Sequence, residues 1–150
     1  MTAIIIMGVA GCGKSSIGKY LSDATGLPFV EGDDHHSQAN RAKMRQGIAL
    51  TDADRDGWLA NLVDQIQKYP HGVVVTCSAL KSTYRQRLRA AGPSVRFAFL
   101  EIDKPEAHKR VTARAAEHFF ATSLVDNQFA TLESPSGEAG VLTLDATLSL

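Results

Sequence analysis

A glycine-rich stretch at residues 7–16 constrains the fold more than any other part of this chain. Gly8, Gly13, Lys14 and Ser15 match the pattern G-x-x-x-x-G-K-[ST], in which a glycine-rich turn directs backbone N–H groups at phosphate oxygens. We expect Lys14 to bring a cation to the β- and γ-phosphates and the Ser15 hydroxyl to bind Mg²⁺, which prefers oxygen ligands. The phosphate-binding residues predicted from this loop are Gly8, Gly11, Cys12, Gly13, Lys14, Ser15 and Ser16.

The neighbouring segments supply the context that this motif requires. Ala3–Met7 is an apolar run that suits a buried parallel strand. Residues 15–24 carry Ile17, Tyr20 and Leu21 at helical spacing, and a helix starting near Lys14 would direct its positive dipole end at a bound anion. The alternative is a glycine-rich turn with a purely structural role, and the strand–loop–helix order favours the phosphate loop.

The rest of the chain alternates between apolar runs and amphipathic segments. We predict strands at 28–31, 73–77, 94–101 and 141–145, and helices at 38–46, 54–68, 81–91 and 105–116. Strands that alternate with helices are typical of a parallel α/β sheet with helices on both faces. With 150 residues and no linker or repeat, the sequence predicts a single domain over 1–150.

Composition excludes several functional classes. The formal net charge is +0 and the isoelectric point is near 7.0, so there is no electrostatic footprint for nucleic acid or an anionic membrane. We expect no membrane span and no secretory leader, because no apolar run is long enough and no basic n-region precedes the first strand. Cys12 and Cys77 lack metal-ligand spacing, which favours a cytoplasmic protein with reduced thiols. Cys12 is interpreted as a small space-filling residue, with oxidation that blocks nucleotide as the alternative.

Polar residues that follow the second strand are candidates for binding a second substrate, the phosphoryl acceptor. Ligands bind beyond the carboxyl ends of parallel strands, so Asp33 should stand at the ligand edge of the sheet. If ATP is the donor, Asp33 can accept the proton of an acceptor hydroxyl or hold the metal through water. The alternative is an N-cap or turn aspartate. Either His35 or His36 can hydrogen-bond a substrate or remain a solvated loop residue, and no further ligands support a zinc site.

Two pairs of basic residues are further candidates. Lys81 and Arg85 share a helical face after the third strand and could bind an anionic acceptor such as a carboxylate. Arg110 and Arg114 have the same spacing, and the segment 115–127 after them has few core signals, which fits a lid that brings cations over the phosphates. In both cases the alternative is an ordinary solvated helix surface.

Three stretches resemble the bacterial-type gluconate kinases. The segment after the second strand shares scattered positions with that family, and residues 77–89 read as its C-S-A-L-K-x-x-Y-R-x-x-L-R stretch. His118–Phe119 and 128–133 resemble its lid and post-lid segment. The shared positions after the second strand are 32–33, His36, Asn40, 43–44, Gly47, Leu50, Asp52, 54–55 and 58–59.

The resemblance implies a fold and an activity. It implies a P-loop fold of the nucleoside-monophosphate-kinase type, with a five-stranded parallel sheet in the order 2-3-1-4-5. It implies transfer of the ATP γ-phosphoryl group to the 6-hydroxyl of D-gluconate, with Mg²⁺, in a homodimer. It supports Asp33 near the acceptor hydroxyl and Arg110 and Arg114 near the phosphates, and we place His36 and His118 with Lys81 and Arg85 among the substrate-binding residues.

The chain also departs from the family pattern. The family's D-R-x-P-W-L reads Asp54–Arg55–Asp56–Gly57–Trp58–Leu59 here, and a second proline, after Gly32–Asp33, is also replaced. We expect an acceptor-binding region at about 33–68 and a lid at about 110–127, and the C-terminal helix of the family is expected to be missing. The alternatives are a kinase for another small sugar acid and a non-catalytic nucleotide-binding protein.

Overall fold

The protein forms a five-stranded parallel sheet covered by helices on both faces. A computed structural model describes residues 2–92, 94–113 and 123–147. The strands are β1 (Ala3–Met7), β2 (Phe29–Glu31), β3 (Val73–Thr76), β4 (Val95–Glu101) and β5 (Val141–Asp145), in the order β2-β3-β1-β4-β5. The helices are α1 (Lys14–Thr25), α2 (Gln38–Arg45), α3 (Asp52–Gln67), α4 (Ser82–Arg89), α5 (Lys104–Ala113) and α6 (Ser123–Thr131). Both the predicted fold and the strand order are confirmed.

Alternate residues of the central strands point into two separate apolar layers. Ile5 of β1 and Val75 of β3 pack on one face of the sheet, and their neighbours Ile6 and Val74 pack on the other. All four of these side chains have no exposed surface. Strands buried on both faces read as continuous apolar runs, which explains why β1 and β3 were recognisable from the sequence.

Different helices cover the two faces. Trp58 and Leu62 of α3, with Leu88 of α4, pack on the face that contains Ile5. Helices α1, α5 and α6 pack on the opposite face, where Val111 and Val125 are buried. Among the helices that the structure describes, none combines the length and the apolar character needed to cross a bilayer.

Helix α6 was missed by the sequence analysis, which expected few core signals between residues 115 and 127. Leu124 and Val125 are buried in the described part of that segment, at 5% and 0% exposure. Two adjacent apolar residues do not establish a helical period, so the pattern alone did not reveal the helix. Residues 114–122 lie outside the described part of the chain.

The structure corrects the prediction that Arg85 lies on an accessible basic face. The side chain is completely buried, and its guanidinium pairs with Glu138 at 2.6 Å. It also donates to the carbonyl oxygens of Ala79, Leu80 and Glu133, at 2.8, 3.2 and 2.9 Å. Since these acceptors surround the guanidinium, Arg85 joins α4 to the segment before β5 and is not directed at a ligand.

The burial of Arg85 predicts a large stability effect. Arg85→Met should lower the free energy of unfolding by about 3 kcal/mol, because three carbonyl oxygens lose their guanidinium donor and Glu138 loses one of its two arginine partners. Arg87→Met is the matched control on the same helix, since Arg87 and its partner Asp56 are 38% and 76% exposed. Its effect should stay below about 1 kcal/mol. Urea unfolding of both variants measures the difference, and equal losses would contradict this role of Arg85.

Candidate active site

A cleft opens where the first three strands end. Its walls include the phosphate loop with Lys14, the turn with Asp33 and His36, and Arg55 and Trp58 of α3. The cleft encloses about 1070 Å³, including its open mouth. The turn before α2 and the loop before α1 therefore face one another across a single space, as the position of Asp33 after β2 predicted.

The phosphate loop is held in shape by backbone and side-chain contacts. Gly13 adopts a φ of 96°, a value that favours glycine, immediately before α1 begins at Lys14. The Lys14 ammonium group donates to the carbonyl oxygens of Gly8 at 3.0 Å and Val9 at 3.1 Å. Gln128 of α6 accepts from the backbone N–H of Ala10 at 2.7 Å. Lys14 therefore lies across the loop, where an arriving phosphate can take the place of these carbonyl oxygens.

Arg110 contacts the same loop but is not among the residues that line the cleft. Its guanidinium donates to the carbonyl oxygens of Gly11 at 3.4 Å and Ala146 at 3.0 Å, and pairs with Glu106 at 3.2 Å. The side chain thus connects α5 to the phosphate loop and to the end of β5. Two other residues predicted to belong to the site, Arg114 and His118, lie outside the described residues.

Glu31, which the sequence analysis did not single out, joins the phosphate loop to β2 and β3. The Ser15 hydroxyl donates to one carboxylate oxygen of Glu31 at 2.7 Å, and the Thr76 hydroxyl donates to the other. Thr76 in turn accepts from the backbone N–H of Gly32 at 3.0 Å. These hydroxyl and carboxylate oxygens, with Asp33 nearby in the cleft, are hard ligands of the type that Mg²⁺ prefers.

The described residues do not form a closed cage for a metal. They contain no group of three or more histidine, cysteine, aspartate or glutamate side chains arranged around a common ion position. This is consistent with Mg²⁺ bound by one or two protein oxygens together with substrate phosphates and water, as is usual for kinases. The donor set therefore fits magnesium bound with a nucleotide.

Asp33 lies on a single 3₁₀ turn, Gly32–His35, and faces the cleft. Its side chain lines the cleft and is 53% exposed, and desolvation by the surrounding protein raises the pKa of its carboxyl group. The charge of Lys14 opposes this effect, and the charge of Glu31 adds to it. The capping role considered for Asp33 belongs to Ser37, whose hydroxyl accepts from Asn40 N–H at the start of α2.

His36 is held rigidly beside Asp33. Its ring stacks on Trp58 with the centroids 4.2 Å apart, and its side chain is 3% exposed. The Asn40 amide donates to the Asp54 carbonyl at 2.9 Å and lies 3.3 Å from Nδ1 of His36. Nδ1 is therefore the acceptor, and Nε2 carries the proton 3.9 Å from the Asp33 carboxylate. Such a ring is a neutral hydrogen-bond donor.

Arg55 is a second residue that the sequence analysis missed. It belongs to the first turn of α3, is only 6% exposed, and lines the cleft. Its guanidinium donates to the Tyr84 hydroxyl at 3.2 Å and lies 5.5 Å from the centre of that ring. Within the described part of the chain, no carboxylate lies within ion-pair distance of it. A buried guanidinium without an acidic partner is suited to an anionic ligand.

Lys81 and Cys12 complete the set of predicted residues. Lys81 pairs with Asp52 at 2.9 and 3.2 Å and does not line the cleft, so the expectation that it reaches an acceptor is not supported. Ser78, three residues earlier in the chain, lies at the cleft wall instead.

Cys12 is 2% exposed, with its sulfur 4.0 Å from the Lys14 ammonium group, a position that suits a small space-filling residue.

Comparison with known proteins agrees with this geometry. The family model described as shikimate kinase matches residues 10–131. A gluconokinase of Gluconobacter oxydans is 40% identical over 93% of this chain and 79% of its own length, and one of Arabidopsis thaliana is 40% identical over 90% and 79%. The crystal structure of a Sinorhizobium meliloti gluconokinase superposes with a TM-score of 0.90, at 41% identity, over 99% of this chain and 84% of that one.

The chain belongs to the gluconokinase family. Within the P-loop kinases it also matches the shikimate kinase model over most of its length. Family membership confirms the resemblance drawn from residues 32–59 and 77–89, and it identifies the chain as a kinase, an enzyme class that uses ATP as a substrate.

The environment of His36 in this gluconokinase-family site predicts that the stability of the folded chain depends on pH. Burial and the nearby charges of Arg55 and Arg41 lower the pKa of His36 to about 4, from an ordinary value of 6.5. Between these values the unfolded chain binds a proton that the folded chain does not, so stability should fall as the pH drops from 6.5 to 4, by about 3 kcal/mol in total.

Urea unfolding of the unmodified chain and of His36→Gln across this pH range measures the contribution. The variant should lose that part of the pH dependence, whereas His71→Gln, at an exposed histidine, should retain it. A pH dependence unchanged by His36→Gln would show that the ring is not held neutral.

Proposed function

We propose that the chain transfers the γ-phosphoryl group of ATP to the 6-hydroxyl of D-gluconate. The observation that carries the proposal is that Lys14 on one wall of the cleft faces Asp33 and Arg55 on the other. The cleft therefore combines a phosphate-binding cation, a candidate proton acceptor and a guanidinium that has no carboxylate partner among the described residues. The chain is 40% identical to two gluconokinases, and this similarity supports D-gluconate as the acceptor.

The donor side is formed by the phosphate loop. Gly8, Gly11, Cys12, Gly13, Lys14, Ser15 and Ser16 form the loop around the phosphates. The Gly8 N–H group itself donates to the Ser78 carbonyl oxygen at 3.3 Å, so N–H groups from later in the loop bind the phosphates. The Lys14 ammonium group leaves the Gly8 and Val9 carbonyl oxygens to bind phosphate oxygens. Ser15, Glu31 and Asp33 hold Mg²⁺ directly or through water. The ion neutralises charge on the phosphates when bound.

Asp33 orients the acceptor hydroxyl and takes its proton. The hydroxyl oxygen forms a bond to the γ-phosphorus as the bond to the bridging β–γ oxygen breaks, and ADP leaves with that oxygen. The raised pKa of Asp33 brings its proton affinity closer to the working pH, which suits a general base. The Nε2–H group of His36 lies beside this carboxylate and is available to a substrate hydroxyl.

The gluconate carboxylate binds Arg55, which replaces Lys81 and Arg85 in this role. Arg85 is surrounded by its own acceptors, and Lys81 is paired with Asp52, whereas Arg55 faces the cleft without a carboxylate partner among the described residues. A planar guanidinium can bind a carboxylate through two parallel hydrogen bonds, which distinguishes an acid from a neutral sugar.

Further parts of the proposal rest on the family resemblance. Arg110 and Arg114 stabilise developing charge on the phosphoryl group, and a lid at about 110–127 carries His118 to the acceptor. The chain acts as one domain over 1–150, within a homodimer. Its two cysteines are buried and free, which favours the reducing cytoplasm.

A coupled ADP-release assay tests the proposed activity. Turnover with Mg²⁺, ATP and D-gluconate should exceed turnover with shikimate, other sugar acids and D-glucose, because the chain resembles gluconokinases and because D-glucose lacks a carboxylate for Arg55. Turnover of another sugar acid but not of gluconate would favour a kinase for that acid. ATP binding without turnover of any sugar acid would favour a non-catalytic nucleotide-binding protein.

Asp33→Asn should reduce kcat by about 100-fold or more, since an amide cannot take the hydroxyl proton. ATP binding, measured by titration calorimetry, should remain, because the phosphate loop is unchanged. Asp34→Asn is the matched control one residue along the same turn, outside the cleft wall, and should retain kcat. Unchanged turnover in Asp33→Asn would remove this carboxylate from the mechanism.

A further inference from the structure

A polar cluster at the starts of α3 and α4 lies directly behind the cleft wall. It consists of Asp52 and Arg55 on α3 and of Lys81 and Tyr84 at α4. Only Arg55 among them lines the cleft, so the other three contact no substrate in the proposed arrangement. The hydrogen bonds between them nevertheless form a chain that ends at Arg55.

The direction of each hydrogen bond follows from the groups involved. The Asp52 carboxylate accepts from the Tyr84 hydroxyl and, at 2.9 and 3.2 Å, from the Lys81 ammonium group. Because the hydroxyl proton points at Asp52, the oxygen lone pair is left for the Arg55 guanidinium, which donates to it at 3.2 Å. These donors lower the pKa of Asp52, with the Tyr84 hydroxyl contributing most, so the acceptor stays ionised.

The same tyrosine ring also packs against both cations. The guanidinium carbon of Arg55 lies 5.5 Å from the ring centre, and the Lys81 nitrogen lies 5.7 Å from it. Within the described part of the chain, the Tyr84 hydroxyl is the hydrogen-bond acceptor recorded for the Arg55 guanidinium. The orientation of that guanidinium in the cleft therefore depends on Tyr84.

We propose that Tyr84, with its hydroxyl oriented by Asp52, is a positioning residue that sets the affinity for the acceptor's carboxylate by holding Arg55. This inference rests on the proposed function, because it takes the ligand of Arg55 to be the carboxylate of a sugar acid. It gives Asp52 and Lys81 a role in acceptor recognition without contact to the acceptor.

Tyr84→Phe removes the hydroxyl and keeps the ring, so the fold is retained. The KM for gluconate should rise about fivefold, the effect of one lost hydrogen bond, whereas the KM for ATP and the kcat at saturating gluconate should stay unchanged. Tyr69→Phe is the matched control, the same chemical change on a partly buried tyrosine that packs against the same core outside the cleft. It should leave both KM values unchanged.

A double-mutant cycle with Arg55→Ala separates positioning from a structural role. Arg55→Ala should itself lower kcat/KM for gluconate, and Tyr84→Phe should have no further effect in that background, because the group it positions is gone. If Tyr84→Phe causes the same loss with and without Arg55, or raises the KM for ATP equally, the positioning role is wrong.

The outcomes also separate this inference from the proposed function. If the unmodified enzyme phosphorylates gluconate and Tyr84→Phe leaves its KM unchanged, the inference is overturned and the proposed function stands. If the unmodified enzyme does not phosphorylate gluconate, both are overturned, because the carboxylate of that acceptor is then not the ligand of Arg55.

Discussion

The arrangement of the cleft depends on the hydrogen bonds between Ser15, Glu31 and Thr76. They connect the phosphate loop after β1 with the ends of β2 and β3, and these three strands are neighbours in the sheet in the order β2-β3-β1. The contact needs close approach of the backbone, since a Cβ atom on Gly32 would lie 1.9 Å from the Thr76 carbonyl oxygen. With glycine there, the turn that carries Asp33 can bend directly over the end of β3 toward the phosphate loop.

Two buried arginines show how their surroundings separate a structural residue from a ligand-binding one. Arg85 has a carboxylate and three carbonyl oxygens as acceptors, so its charge and its donors are used within the protein. Within residues 2–92, 94–113 and 123–147, the acceptor that Arg55 contacts is one phenolic oxygen, which accepts a hydrogen bond and supplies no negative charge. A buried cation without a counterion is costly, and an anionic ligand relieves that cost, which gives the cleft a physical preference for acids.

The backbone architecture could be predicted from the sequence, and the contacts of the long side chains could not. The apolar runs of β1 and β3 and the glycines of the phosphate loop are local signals, and they led to the correct sheet and to the cleft that holds Asp33. Whether Arg55 or Arg85 faces the cleft depends on which elements pack against α3 and α4. Arg85 is held by Glu138 and Arg55 by Tyr84, and in each case the partner is distant in the chain, so helical spacing alone could not show which arginine faces the cleft.

Different contacts hold the acceptor side and the donor side of the cleft in place, so the binding of the acceptor and the binding of the nucleotide can change separately. The donor side is held by hydrogen bonds between the backbone of the phosphate loop and the side chains of Lys14 and Gln128. The acceptor side is held by side chains of α2, α3 and α4, with His36 stacked on Trp58 and Arg55 bound to Tyr84. Changes in the α3–α4 cluster therefore alter the binding of the acceptor acid while the phosphate loop keeps its shape. A scaffold of this kind can change its acceptor specificity without losing its ability to bind the nucleotide.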